Sequence, residues 1–433
     1  MPNKFNVEKP SKFLHIIKTT SLNSDGRLLK WIDSLDEMGH TSELFILEDN
    51  NLRGTETNNT IKITRTSLWW RRIFSKRKGY LFKACEFAVK SIRHIKNSNA
   101  DTIIFHDVQH YLTLTLLLFN KPKNKRIIWD LHELPHKFLL NNCLTKQVIA
   151  FILNRVNGVI YTNEHRKDFL LSKFKEIRSK RYVLHNYPSK SYITADRNEI
   201  PPDLSDWLAG RSYALWLGMA STKRNFLTFY QALKPHLNEI RLVIIGRLHK
   251  DIKEQICTDP EYEFIYNKFV RHDEIVRYID HARFSAVFYK NTSPNNFYCE
   301  PNRLYQLLTR GVPVVGGNNP QIITLVRKCN GGIILSDDGT EVAGVKGAIA
   351  TLMDEHNLCV YRSSLQRFDF SKLYAWEEEF KSLIKALSGR EGSVKKALIF
   401  SHLLTLYVYF EIPFYRLISI RFYIALSEYV STE

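Results

Sequence analysis

The sequence predicts an α/β protein made of two parallel-sheet domains, and three observations carry that expectation. The chain has 433 residues, more than one hydrophobic core usually organises. Short apolar runs alternate with patterns of helical period, and strands separated by helices imply βαβ units. The alternation breaks near Asp196 to Trp207, where Pro201-Pro202 and several acidic residues read as a linker.

The elements follow in order. Residues 13–18 (FLHIIK) form the first expected strand, followed by a polar loop over 21–26. A helix comes next, with Leu28, Leu29, Ile32 and Leu35 at helical spacing and Gly39 as its C-terminal glycine. Further strands are expected at 43–47, 101–106, 126–130, 158–162 and 181–184. A basic aromatic segment over 68–78 (LWWRRIFSKRK) interrupts the rhythm. Beyond the linker the expected strands are 213–217, 241–245, 263–266, 286–289, 312–315 and 332–335. The division is therefore 1–200 and 206–372, with a helix over 373–388 and a tail over 389–433.

Composition narrows the function classes. With 44% hydrophobic and 24% charged residues the chain is globular rather than disordered. Its 62 Lys and Arg against 44 Asp and Glu give a net charge of +18, suited to polyanions or acidic lipid. No nucleic-acid-binding motif accompanies that charge, which is dispersed, so nucleic acid is not an expected partner. The six cysteines stand singly with no CxxC, against a disulfide framework or zinc site and in keeping with a reducing compartment. The first ten residues are polar and lack an apolar signal core. The apolar run 397–410 falls short of the ~18 residues that cross a bilayer. A cytoplasmic protein is expected, with two readings of the tail open: a packed helical hairpin, or an interfacial helix on the inner face of the plasma membrane. Trp69 and Trp70 among basic neighbours would serve the second.

In parallel sheets, ligands sit beyond the carboxyl ends of strands. The loops there carry His132-Glu133, Lys223-Arg224-Asn225, Gly246-Arg247 and 290–296, which leads into Glu300-Pro301-Asn302-Arg303 and an expected helix start. A helix amino terminus beside Arg224 and Arg303 suits a diphosphate, because free N–H groups and guanidinium both favour anions.

Several phrases, in order, resemble the retaining glycosyltransferases of GT-B architecture, group 1 or family 4-like. They are LDEMGH at 35–40, FHD at 105–107, WDLHE at 129–133, HNYP at 185–188, EPNRLYQLLTRGVPVV at 300–315, and FSKLYAW at 370–376. The resemblance covers roughly 11–388 and implies two Rossmann-like domains facing a cleft, the first taking the acceptor and the second the nucleotide sugar. It implies sugar transfer with retention from a UDP- or GDP-linked donor to a glycan or lipid-linked acceptor, as in capsule, lipopolysaccharide or O-antigen synthesis. The nucleotide sugar is a co-substrate and no separate cofactor is implied.

The same resemblance places Arg224 and Arg303 at the family's phosphate-binding positions, as catalytic candidates, with Lys223 as helper and Asn302 and Gln306 in the donor-binding motif. Position after strands adds His132 as a catalytic candidate and Arg247 and Val270 as donor contacts near the base. Gly26 is a loop glycine that lets backbone approach the donor, and Glu300 joins the donor-binding set. The chain has no Asp-x-Asp pair, which fits departure of the diphosphate without a metal. Two positions depart from the family. Its paired glutamates fall at Tyr298 and Gln306, so a neutral amide oxygen would meet the ribose hydroxyls, with Glu300 as the nearest substitute. Its cation after Arg224 is Asn225 here. Each residue also has a structural reading: surface arginine, core histidine or turn glycine. A catalytically silent binding or assembly protein is the alternative function.

Overall fold

The computed structural model describes residues 10–19, 25–48, 54–58, 61–74, 78–271 and 274–388. The tail over 389–433 lies outside them, and so does most of the 21–26 loop.

Among the described residues, fourteen strands form two sheets. The first takes β1 (Lys12–Ile16), β2 (Thr41–Leu47), β3 (Gly54–Asn58), β4 (Ile61–Thr66), β5 (Thr102–His106), β6 (Arg126–Leu131), β7 (Gly158–Tyr161) and β8 (Lys180–Val183). Their order is β3-β4-β2-β1-β5-β6-β7-β8. The second takes β9 (Tyr213–Leu217), β10 (Arg241–Ile245), β11 (Ile265–Lys268), β12 (Phe284–Val287), β13 (Val314–Gly316) and β14 (Gly332–Ile334), in the order β11-β10-β9-β12-β13-β14. Pairing is parallel throughout the second sheet. By compactness the described residues form two units, one made of those within 10–130, 151–158 and 384–388, the other of those within 131–150 and 159–383.

The central strands are legible because both of their faces are covered. Every residue of β5 and of β9 is buried, which removes the alternation an exposed face would impose. In the second unit Trp216 on β9 packs against Phe226 and Phe229 of the helix Phe226–Leu233 and against Phe288, with ring centres 4.9, 5.5 and 6.3 Å apart. Such a buried aromatic knot contributes heavily; truncating one ring typically costs about 3–5 kcal/mol.

Three differences from the expected elements matter. The hairpin β3–β4 was not expected, although Ile61 and Ile63 alternate with Lys62 and Thr64. Its antiparallel pairing follows two-residue periodicity that is masked by the polar, Gly- and Asn-containing β3. The supposed linker contains a helix, Pro202–Leu208, in which Pro202 occupies a first-turn position and Leu204 and Leu208 are buried on one face. The Pro-Pro pair thus opens a helix rather than breaking one. The strand expected over 286–289 is β12, ending at Val287. Phe288, just past the strand, accepts from Arg303 Nη2 through its carbonyl at 3.0 Å.

Candidate functional site

The site grows from the carboxyl end of β9. Gly218 follows the strand at φ 93°, and Gly246 follows β10 at φ 155°. A Cβ on Gly246 would lie 2.1 Å from the Gly218 carbonyl oxygen, so only glycine lets these loops meet. They then run together: Ala220 N donates to Arg247 O and His249 N to Ala220 O, each at 2.9 Å. A single 3-10 turn, Thr222–Arg224, presents Lys223 and Arg224. Asn225 ends it in the left-handed region, φ 50°. Asparagine tolerates that conformation better than most residues, and here its Nδ2 also donates to Asp338 O at 2.9 Å. The residue where the resembled family carries a cation is therefore a backbone clamp.

The second half comes from the helix Asn302–Thr309, whose N-cap is Pro301 rather than a residue within a longer turn. Arg303 is buried, 6% exposed. Its Nη1 donates to Leu217 O at 2.8 Å and its Nη2 to Phe288 O at 3.0 Å, joining the ends of β9 and β12. Its guanidinium carbon lies 5.0 Å from the ring centre of Tyr289 and 5.4 Å from that of Trp216. Arg224, half-buried, places its guanidinium carbon 5.2 Å from the same Tyr289 ring. Burial pushes the Arg303 pKa down to about 10, and the charge of Arg224 adds to the effect. Arg303 still carries its charge at neutral pH. Two cations thus share one aromatic platform, an arrangement that an added anion relieves.

Glu300 faces a different way. It is buried, accepts from the Tyr305 hydroxyl and from Gln321 Nε2 at 3.3 Å, and keeps Oε2 without a hydrogen-bond partner. Burial pushes its carboxyl above the ordinary range, against the pull of nearby His185. His185 in turn bonds Glu379 through Nδ1 at 2.7 Å and lies parallel to Tyr187, 4.6 Å between ring centres. Desolvation alone would lower the His185 pKa; Glu300 and Glu379 outweigh it and hold it above the usual value. Cys299, next to Glu300, has its thiol pushed up to about 12 by burial, so it is no thiolate nucleophile.

His132 is half-buried, and its carbonyl accepts from Arg166 Nη1. Arg166 also donates to Thr162 Oγ1 at 3.0 Å and to Asn295 O at 3.2 Å. Leu134 N donates to Asn295 Oδ1 at 3.1 Å, and Asn163 Nδ2 to Tyr298 O at 3.1 Å. The 290–300 loop is thereby pinned to the loops after β6 and β7.

Of the residues expected from the sequence, Lys223, Arg224 and Arg303 fall around Tyr289, while Glu300, on the segment that leads to Arg303, turns to Tyr305 and Gln321. Arg247 is exposed, with its guanidinium carbon 4.5 Å from the Phe269 ring centre, and Val270 is buried just past β11. Asn302 is exposed and accepts from Asn186 Nδ2 at 2.6 Å. Gln306, half-buried, lies one turn after Arg303, and its carbonyl accepts from the Tyr192 hydroxyl at 3.3 Å. Gly26 belongs to the first unit, as the first residue of the helix Gly26–Glu37. That helix is capped by Asp25 Oδ1, which accepts from Leu28 N at 3.0 Å. A Cβ on Gly26 would meet open space. Tyr289, Arg166, Asn163 and Asn295 were not singled out from sequence. The available signal was position: Asn163 and Arg166 follow β7 as His132 follows β6.

No protein-family model matches the chain, and no curated protein matches it. Solved structures do. An α,α-trehalose-phosphate synthase (UDP-forming) from Burkholderia vietnamiensis aligns over 88% of this chain and 99% of its own, with a TM-score of 0.67 and 8% identity. A sucrose-phosphate synthase from Thermosynechococcus elongatus aligns over 87% and 98%, at 0.68 and 12%. An E. coli structure described as trehalose-6-phosphate bound with UDP-2-fluoro glucose aligns over 88% and 99%, at 0.67 and 10%. The chain has the GT-B fold, with two Rossmann-like parallel-sheet domains.

Proposed function

We propose that the protein is a retaining glycosyltransferase that moves a sugar from a UDP- or GDP-linked donor to a glycan or lipid-linked acceptor, without a metal. Residues 1–200 take the acceptor and 206–372 the donor. The polymer class is surface polysaccharide: capsule, lipopolysaccharide or O-antigen. The observation that carries the reading is the pair Arg224 and Arg303 over Tyr289, at the carboxyl ends of β9 and β12 and beside the start of the 302–309 helix. Glycosyl transfer requires a diphosphate to leave while positive charge grows on the anomeric carbon, so preorganised cations and helix N–H groups lower the barrier where charge develops. Arg224 is the accessible member and meets the phosphates. Arg303 fixes the platform and supplies field from behind it. The likeness to structures named for sugar-phosphate synthases, one with a UDP-sugar analogue, supports the same chemistry.

The test is a panel of UDP- and GDP-sugars read first by thermal shift, then by nucleotide release with and without EDTA. One donor raising the melting temperature, with release that EDTA leaves intact, is the expected result. Release abolished by EDTA overturns metal independence. A second reading, a catalytically silent glycosyltransferase-like binding or assembly protein, is favoured by Gln306 at the family's glutamate position. Release or transfer by the purified protein excludes it, whereas no donor binding at all favours it and sinks the transferase.

A further inference from the structure

The short helix Trp70–Ile73 and the start of the helix Tyr80–Asn97 build an aromatic ridge on the first unit. Trp70 stacks on Phe74 with 5.6 Å between ring centres, and Phe82 meets them at 4.9 and 5.6 Å. Trp69 stands edge-on to Trp70 at 4.7 Å. The ridge is held from below. The Glu86 carboxylate accepts from Trp69 N at 2.8 Å and Trp70 N at 3.2 Å, and Lys90 Nζ donates to Ser67 O at 2.7 Å. Gly79 turns the chain at φ 65°, where a Cβ would strike the Phe74 ring at 2.3 Å.

So firmly built a ridge nevertheless leaves its apolar tip in water. Trp69 is 53% exposed, Ile73 52% and Phe82 41%. Trp69 and Ile73 are four residues apart and share a helix face. Arg71, Arg72 and Lys78 are exposed beside them, and among the described residues no ion pair neutralises these three. Glu86 is the one acid between Ser67 and Lys96, already engaged by two amides and Lys90. A partner that supplies an apolar layer edged with anions matches both halves of the patch.

We propose that this ridge docks the protein on an anionic lipid surface, with Trp69 and Ile73 entering the headgroup boundary and Arg71, Arg72 and Lys78 facing acidic headgroups. Single-stranded nucleic acid fits less well. Stacked bases need free ring faces, whereas Trp70, Phe74 and Phe82 already cover one another, and Ile73 offers nothing to a base. The inference is independent of the transferase reading, since lipid binding is measured with neither donor nor acceptor present.

The experiment uses the full chain with sedimenting vesicles of phosphatidylcholine, alone or mixed with phosphatidylglycerol. Binding is expected to the mixed vesicles only, and to weaken with salt. At about 1 kcal/mol per surface cation, Arg71→Gln with Arg72→Gln should lower partitioning roughly 30-fold. Trp69→Ser with Ile73→Ser should lower it at least about tenfold, with the melting temperature of each variant unchanged. Bromo-lipid quenching of tryptophan emission should largely disappear in Trp69→Phe. Equal binding to neutral vesicles, or wild-type partitioning by both double variants, overturns the assignment. So does binding to poly(U) that these substitutions abolish while vesicle binding persists.

Discussion

Arg224 and Arg303 stand with their guanidinium carbons 5.2 and 5.0 Å from the centre of one ring, Tyr289. Their surroundings divide the work. Arg303 is buried and committed to two carbonyls, while Arg224 is half-buried. Arg224→Ala should leave the melting temperature near wild type and weaken UDP or GDP affinity about tenfold or more. Arg303→Ala removes the donors of Leu217 O and Phe288 O and should cost about 3 kcal/mol of stability, seen as a lower urea midpoint. Equal stability of the two variants would contradict this division.

Asn225 combines a left-handed backbone with an amide tied to Asp338. Restoring the resembled family's cation by Asn225→Lys should therefore destabilise by about 1–2 kcal/mol rather than raise donor affinity. Asn225→Gly, which relieves the backbone, should lose less. Calorimetric melting of the three proteins checks the order.

Gly246→Ala drives a methyl to 2.1 Å from the Gly218 carbonyl oxygen. The backbone itself must yield, at a cost on the order of 2–4 kcal/mol. Since the 218–225 loop moves with it, donor-induced thermal shift should shrink as well. An unchanged denaturation midpoint would show that the loops separate freely.

Acid should destabilise the first unit through His15. This ring is buried and bonds His106 at 2.9 Å; His106 reaches Asp130 at 3.3 Å, and Asp130 is paired with Arg27 at 2.9 Å. Burial first, then the neighbouring His106, holds the His15 pKa well below 6.5, against a smaller opposing pull from Asp130. The unfolded chain binds a proton near pH 6.5 that the folded chain refuses, so stability is full above that pH and declines as pH falls through it. Urea midpoints from pH 7.5 to 5.5 should drop more steeply for wild type than for His15→Gln.

The sheets were largely legible because strands covered on both faces, such as β5 and β9, leave uninterrupted apolar runs. Arg224 and Arg303 were legible by their place after strands. The burial of Arg303 was not, since it depends on carbonyls 86 and 15 residues away. Tyr289 was hidden inside an expected strand that in fact stops at Val287. The Arg166 clamp on His132 and Asn295 joins segments 34 and 129 residues apart, a pairing that no local pattern encodes. Pro201-Pro202 misled because the same dipeptide ends some elements and opens others.

The edges of the first sheet have a consequence for handling the protein in concentrated solution. β3 is a five-residue margin whose Glu56 pairs with Arg65 of β4, and β8 at the opposite margin begins with exposed Lys180 and Arg181. Open rims that are short and charged are poor templates for a neighbour's backbone, so these rims should resist strand-by-strand polymerisation, and crowded preparations should fail there last.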